Sequence, residues 1–240
     1  VIELTAARVA GITYADRSRV EGGISAQLLQ TQTLRIQEAR IAEADFRQIR
    51  AQSVTLKGSQ LGRKDAQKLD PCGEASVLIS DPNVLSFEQA KVAGDLSLQT
   101  RVRASGRQFP TVVHQLLCLN GVQVGGSLEL DGLTATKLDL TGARIGQVLR
   151  LASHHLGTLK WHDPAQAALN LSKATLPRLT LSNALALPAD FSLSGAQIDT
   201  IADVSTGEPS PTQHTALQNL ITKIPDPTTR ISALAVLEKT

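Results

Sequence analysis

The chain contains no methionine, and only 2% of its 240 residues are aromatic: four Phe, one Tyr and one Trp. Large globular cores and sugar-binding grooves lean on aromatic side chains. A core here must instead be built from Leu, Ile, Val and Ala, and a sugar-stacking groove is not expected. No run of about 18 apolar residues occurs, so nothing here spans a bilayer as a helix. The net charge is +2, too small to imply a nucleic-acid or acidic-membrane partner. Two cysteines, Cys72 and Cys118, are too few for a disulfide framework. They either pair or stand as thiols, and the compartment stays open. The missing methionine includes position 1. We expect that the original start is absent, with any upstream signal or anchor.

What is present is a period. The stretch "ARIAEADFRQIRAQSVTLKGSQLG", Ala39 to Gly62, has apolar residues spaced neither as in a helix nor as in a plain strand. Written in pentads, one column reads Ala26, Thr31, Ile36, Ile41, Phe46, Ala51, Leu56 and Leu61. Two residues earlier stand Ile24, Leu29, Leu34, Ala39, Ala44, Ile49, Val54 and Ser59. The remaining columns hold Arg35, Arg40, Asp45, Arg50, Gln37, Arg47, Gln52, Lys57, Glu38 and Glu43. A helix of 3.6 residues per turn would smear these columns within two turns. A continuous strand of period 2 would throw successive pentads to opposite faces. A turn after every short extended segment keeps them in register. The expected fold is therefore an all-β solenoid, with about 20 residues per coil, two apolar columns facing inward and backbone pairing between rungs.

Ala44-Asp45-Phe46-Arg47 follows, in order, the small, Asp/Asn, Leu/Phe, Ser/Thr/Arg code of pentapeptide-repeat proteins. The chain resembles that family in period, while most other units keep the apolar columns and miss the polar code. The resemblance implies a right-handed quadrilateral β-helix. "VEGGI", "VAGDLSL" and "VGGSLEL" are similar to repeats of bactofilins, which are β-helical cytoskeletal polymers.

Along the chain, the inward pairs Ile2/Leu4, Ala7/Val9 and Ile12/Tyr14 come first, followed by a two-residue slip before Ile24. The expected organisation is a first β-helix block over 1–61 and an insertion loop over 62–76. A second block over 77–205 continues the first, with insertions near 104–115 and 162–168, and a helical cap covers 206–240. The second block resumes at Val77/Ile79 and runs from Leu85/Phe87 to Leu149/Leu151. Leu159/Trp161 follows, then Leu169/Leu171 to Ala196/Ile198. Steps are mostly five with an occasional six, which a corner bulge absorbs. Gly125, Gly126 and Gly142 suit tight corners where positive φ is often needed. Trp161 is too large for a narrow interior, so the coil should open or detour there. Leu217, Leu220 and Ile221, then Ile231, Leu234 and Leu237, have helical spacing on either side of Pro225 and Pro227. They read as two short helices covering the last rung. No such cap precedes residue 2, so upstream residues or another subunit should cover that end.

Candidate chemistry is sparse. In the repeat frame His154 faces inward, whereas His155 and His162 face out, so with Asp163 they do not converge as metal ligands. No phosphate loop or nucleophile motif stands out. Acyltransferase β-helices use a hexapeptide period, which this chain lacks. We assign no catalytic, cofactor-binding or metal-binding residue. Arg35, Arg40, Arg47, Arg50 and Lys57, interleaved with Glu38, Glu43 and Asp45, read as a solvated mixed-charge face, with binding of an anionic partner as the alternative. Mimicry of duplex DNA, a role of some pentapeptide-repeat proteins, requires a negative surface that a +2 chain does not have. Cys118, between inward Leu117 and Leu119, should point outward. It can pair with Cys72 only if the first insertion folds back over later rungs.

The expectation for function is a non-enzymatic structural or protein-interaction scaffold. Its partner, or a second copy of itself, would dock on the uncapped N-terminal rung or on the insertions. The alternatives are a self-polymerising filament subunit and, behind it, a carbohydrate-active or metal-dependent enzyme. No nucleic-acid partner is expected.

Overall fold

The computed structural model describes residues 2–62, 84–182 and 185–203, together with Thr222. The described chain is almost wholly β. Two large sheets of ten and eleven strands hold most of it, and every pairing within them is parallel. The chain alternates between the sheets. Ile2–Glu3, Arg19–Ser25, Arg40–Asp45 and Gln60–Leu61 lie in one, and Arg8–Tyr14, Gln30–Arg35 and Arg50–Thr55 in the other. Gln30 pairs with Arg50 and Arg40 with Gln60, so each strand meets the one four pentads further on. Thr175 pairs with Gln197, a slightly longer step. This arrangement is compatible with a β-solenoid whose successive strands stack as rungs.

The two sheets share one apolar interior. Each inward residue from Ile24/Ala26 to Ser59/Leu61 is buried, and so are the pairs from Leu85/Phe87 to Leu98 and from Leu117/Leu119 to Leu149/Leu151. Like sits on like. Ile24, Ala44, Leu85, Leu117, Leu138, Leu169 and Phe191 occupy one register column. In the column beside it the rings of Phe46 and Phe87 stack with centroids 5.0 Å apart. Each fully buried Leu, Ile or Phe contributes about 1.5–3 kcal/mol by leaving water, which is how a core with few aromatics accumulates stability.

The corners have a repeated chemistry. After the central apolar residue the chain turns, and the amide three residues on returns to its carbonyl: Ile49 to Phe46, Ala90 to Phe87, Val122 to Leu119 and Ala143 to Leu140. Where the residue before the turn is Asp or Asn, its side chain supplies a second acceptor. Asp45 Oδ1 accepts from Arg47 N at 3.0 Å, Asp139 Oδ1 from Thr141 N at 2.9 Å, and Asn170 Oδ1 from Ser172 N at 3.0 Å. Ser25, Asp45, Ser86, Cys118, Asp139, Asn170 and Ser192 share this register position. The Asp in Ala44-Asp45-Phe46-Arg47 is thus a turn-forming side chain.

Two local expectations are corrected. Ile12 and Tyr14 do not face inward: they are 56% and 68% exposed. The single two-residue slip is in fact two one-residue bulges. One separates the Val9–Thr31 pair from Ile12–Thr33, and the other separates Val20–Ile41 from Gly23–Glu43. The first bulge moves the chain by one residue, which inverts the faces that follow, so Thr13 takes the inward register opposite Leu34. Gly142 does have a positive φ of 66°, but Gly125 and Gly126 do not. Gly125 is there for close approach. A Cβ on it would run into the Ala93 carbonyl oxygen, and one on Gly146 into that of Gly125. This corner carries the extra residue of the six-residue steps: Ala51 pairs with Val92 and Val54 with Leu96, so the partner strand advances four residues for three.

Val77/Ile79, the 62–76 loop beyond Gly62, and the two C-terminal helices, apart from Thr222, which is helical, lie outside the described residues.

Among the described residues, seven other than glycine hold the left-handed corner conformation, including Leu28 at φ 58°. That conformation costs an L-residue about 1–2 kcal/mol. Leu28 is 49% exposed and leaves little packing behind. Leu28→Gly should therefore raise stability, by about 0.5 kcal/mol after the extra backbone entropy of glycine is subtracted; urea titration of both chains measures it.

Candidate interaction surfaces

Outside the core, charge is arranged in two different ways. Part of it is neutralised locally. Arg35 pairs with Asp16 at 2.8 Å, Arg47 with Asp45 at 2.7 Å, and Lys57 and Arg150 both reach Glu129, at 3.8 and 2.8 Å. Pairs of this kind on a surface contribute little stability, roughly 0–1 kcal/mol. Arg40 and Arg50 are different: among the described residues neither has an ion-pair partner, and each lines an open groove.

The most concentrated charge cluster surrounds Glu38. Its side chain is only 7% exposed and receives three arginines: Arg103, which donates through both Nε and Nη2, Arg101 at 3.3 Å and Arg17 at 3.5 Å. Arg101 and Arg103 come from an antiparallel hairpin, Arg101–Val102 against Gln108–Phe109, that projects from the parallel sheets. The guanidinium groups of Arg103 and Arg107 lie 4.4 and 5.0 Å from the Phe109 ring centre. Hydrogen bonding from Arg103 holds the Glu38 carboxyl below its ordinary range; burial opposes this, and the charges of Arg101, Arg103 and Arg17 add to the lowering. At the root of the hairpin, Thr111 is fully buried. Its hydroxyl accepts from Gly58 N at 2.7 Å and donates to the Gln99 carbonyl at 2.5 Å.

A second small hairpin pairs Ala152–Ser153 with Gly157–Thr158, and its turn carries His154 and His155. The inward placement expected for His154 is corrected here: it is exposed. Leu159 N bonds to the Leu151 carbonyl at 2.7 Å, which closes the chain across the hairpin. Looping out the two imidazoles avoids burying polar rings in a leucine column. His162 meets His114 edge to face at 5.4 Å, and among the described residues no three metal-ligating side chains converge. Trp161 is only partly buried. It pairs in register with Ala135, packs on the rim of the core and donates from Nε1 to the Ala186 carbonyl at 2.6 Å. The chain then makes an excursion: Trp161 faces Ala135 but Ala168 faces Lys137. Cys118 is buried outside the apolar cluster and is disulfide-bonded; the other half of the bond lies outside the described residues.

Among the described residues, nothing covers the first rung. Ile2–Glu3 and Arg8–Tyr14 are the terminal strands of their sheets. Leu4, Ala7, Val9, Ala15 and Val20 carry the inward columns to that end, and all are only partly buried. Ile2, Ile12 and Tyr14 are exposed beside them.

Among the described residues no helix is long and apolar enough to cross a membrane. Comparisons with protein-family models, curated proteins and solved structures find no match to this chain.

Two outcomes follow for the arginine-rich hairpin. Thr111→Val leaves a buried N–H and a carbonyl unmet and should cost about 1–3 kcal/mol in chemical denaturation. Glu38 has a depressed folded-state pKa, so the stability it confers is present above the ordinary glutamate value of about 4.3 and is lost as pH falls through the lower folded value. The Tm gap between wild type and Glu38→Gln should therefore be full at pH 7 and close on acidification below about pH 4. A gap that widens with acid would contradict the assignment.

Proposed function

We propose that this chain is a non-enzymatic scaffold: a right-handed β-helix of the pentapeptide-repeat type, with about 20 residues per coil and its cap in 206–240. It binds a protein partner through the open first rung. Parallel pairing, near-constant register steps between rungs and the turn-forming Asp or Asn at one corner support the architecture. One observation carries the function. Inward residues that are nearly inaccessible in the middle of the stack, such as Ile41 and Val54, have first-rung counterparts in Val20 and Thr13 that remain partly open. An apolar column that ends in a strand edge with no partner among the described residues offers both hydrophobic burial and backbone hydrogen bonds to a docking strand.

Val9→Glu places a charge on that end without touching the central rungs. In co-purification from the native source, wild type should retain a partner, or a second copy, in fixed stoichiometry, and Val9→Glu should lose it while circular dichroism shows that the stack remains folded. A wild-type chain that runs by light scattering as a 25.5 kDa monomer at every concentration and retains no partner would remove this reading. Filaments in electron micrographs at rising concentration would replace it with the polymer alternative.

A further inference from the structure

A groove of about 670 Å³ runs along the outer face of the eleven-stranded sheet, crossing the strands. Register places Arg50, Lys91, Gln123 and Arg144 side by side on four successive rungs of it. The column continues beyond the groove through Gln30 to Arg8. Among the described residues, no Asp or Glu lines the groove or the hollow that adjoins it around Gln48 and Gln89. Among the described residues, none of Arg8, Arg50, Lys91 and Arg144 has an ion-pair partner. Elsewhere Arg17, Arg19, Arg35 and Arg47 each sit against a carboxylate. On a chain of net charge +2, an acid-free row of cations is a separate electrostatic feature. The glycine corners described above form one wall, and Gly125 and Gly146 leave the backbone there uncovered.

We propose that this groove binds an extended acidic segment of a partner protein, lying across the rungs. Rungs about 4.8 Å apart put Arg50 and Arg144 roughly 14 Å apart, and four residues of extended chain, at about 3.4 Å each, cover the same length. Carboxylates on one face of a strand, at alternate positions, can therefore meet Arg50 at one end and Arg144 at the other, with Lys91 between. Arginine holds a carboxylate by two parallel hydrogen bonds. Gln52 and Gln123, exposed in the groove, supply amide donors and acceptors suited to a peptide backbone. Among the described residues, no aromatic side chain lines the groove, so it lacks the platform on which sugars or unpaired bases stack. The inference rests on the scaffold reading and names a second contact for the same partner class.

The test uses the full chain and a fluorescein-labelled decapeptide of alternating Glu and Ser, read by fluorescence polarisation. Binding should weaken at least tenfold in the Arg50→Glu/Arg144→Glu double variant and fall as salt rises. It should change less than twofold in Arg19→Glu/Arg40→Glu, which alters the groove on the other sheet. Both pairs of substitutions are on exposed side chains, and circular dichroism with Tm confirms that the variants fold. Equal affinity for wild type and the Arg50/Arg144 variant overturns the proposal. So does a failure of the peptide to bind, including the case in which a polyuronate or an oligo-dT of matched charge binds instead. Val9→Glu is run alongside. It keeps the groove, so loss of peptide binding in wild type with retained partner capture sinks the groove alone, and the reverse pattern sinks the open-end reading alone.

Discussion

The described structure depends throughout on the parallel ladder between rungs. Once Gln30 is paired with Arg50 and Arg40 with Gln60, each inward side chain sits directly on its counterpart, about 4.8 Å away. That spacing lets one aliphatic side chain, or a tilted or offset ring, pack on the next. Leu on Leu and Phe46 on Phe87 then fill the interior, and a polar residue there must find its partner within the corner, as the Ser59 hydroxyl does with the Ile36 carbonyl. The same constraint governs departures. An insertion cannot enter the interior without breaking two ladders, so the 101–109 and 152–158 hairpins leave outward and return to the register they left.

This also explains what can be read from the sequence. The columns from Ile24 to Leu61 are legible because their spacing is uninterrupted and each position has only two states, in or out. The first rung is not. Ile12 and Thr13 are both acceptable inward residues, and a one-residue bulge has no compositional mark of its own, so only pairing with Thr33 and Leu34 decides between them. Gly125 is legible as a corner but not as a close approach. The conflict it avoids is with the Ala93 carbonyl, one rung earlier in the stack. His154 escapes the pentad count because counting by fives cannot distinguish a rung from a hairpin of similar length.

Surface charge shows the same division more sharply. In sequence, Arg35, Arg40, Arg47 and Arg50 form the conspicuous basic run. In space that run disperses. Arg35 and Arg47 are tied to Asp16 and Asp45, Arg40 belongs to one sheet and Arg50 to the other. The row with no ion-pair partner among the described residues joins Arg50 to Lys91 and Arg144, which arrive from later rungs. The insertions between them hide the relation from any local pattern. Glu38 is the converse case. An acid in a basic neighbourhood is satisfied by Arg101 and Arg103, which reach it from a hairpin inserted far along the chain.

A stack of parallel rungs separates the residues that hold it together from those free to act. Inward positions are fixed by stacking, and outward ones answer only to water or to a partner. Irregularity is then the place where the two sets meet. The six-residue corner at 93–95 and 125–127 spends an extra residue that the core does not require. Gly125 and Gly146 leave that corner without side chains, beside cations that have no ion-pair partner among the described residues. The coincidence of added length, absent side chain and uncompensated charge on the same rungs is what distinguishes this face from the rest of the surface.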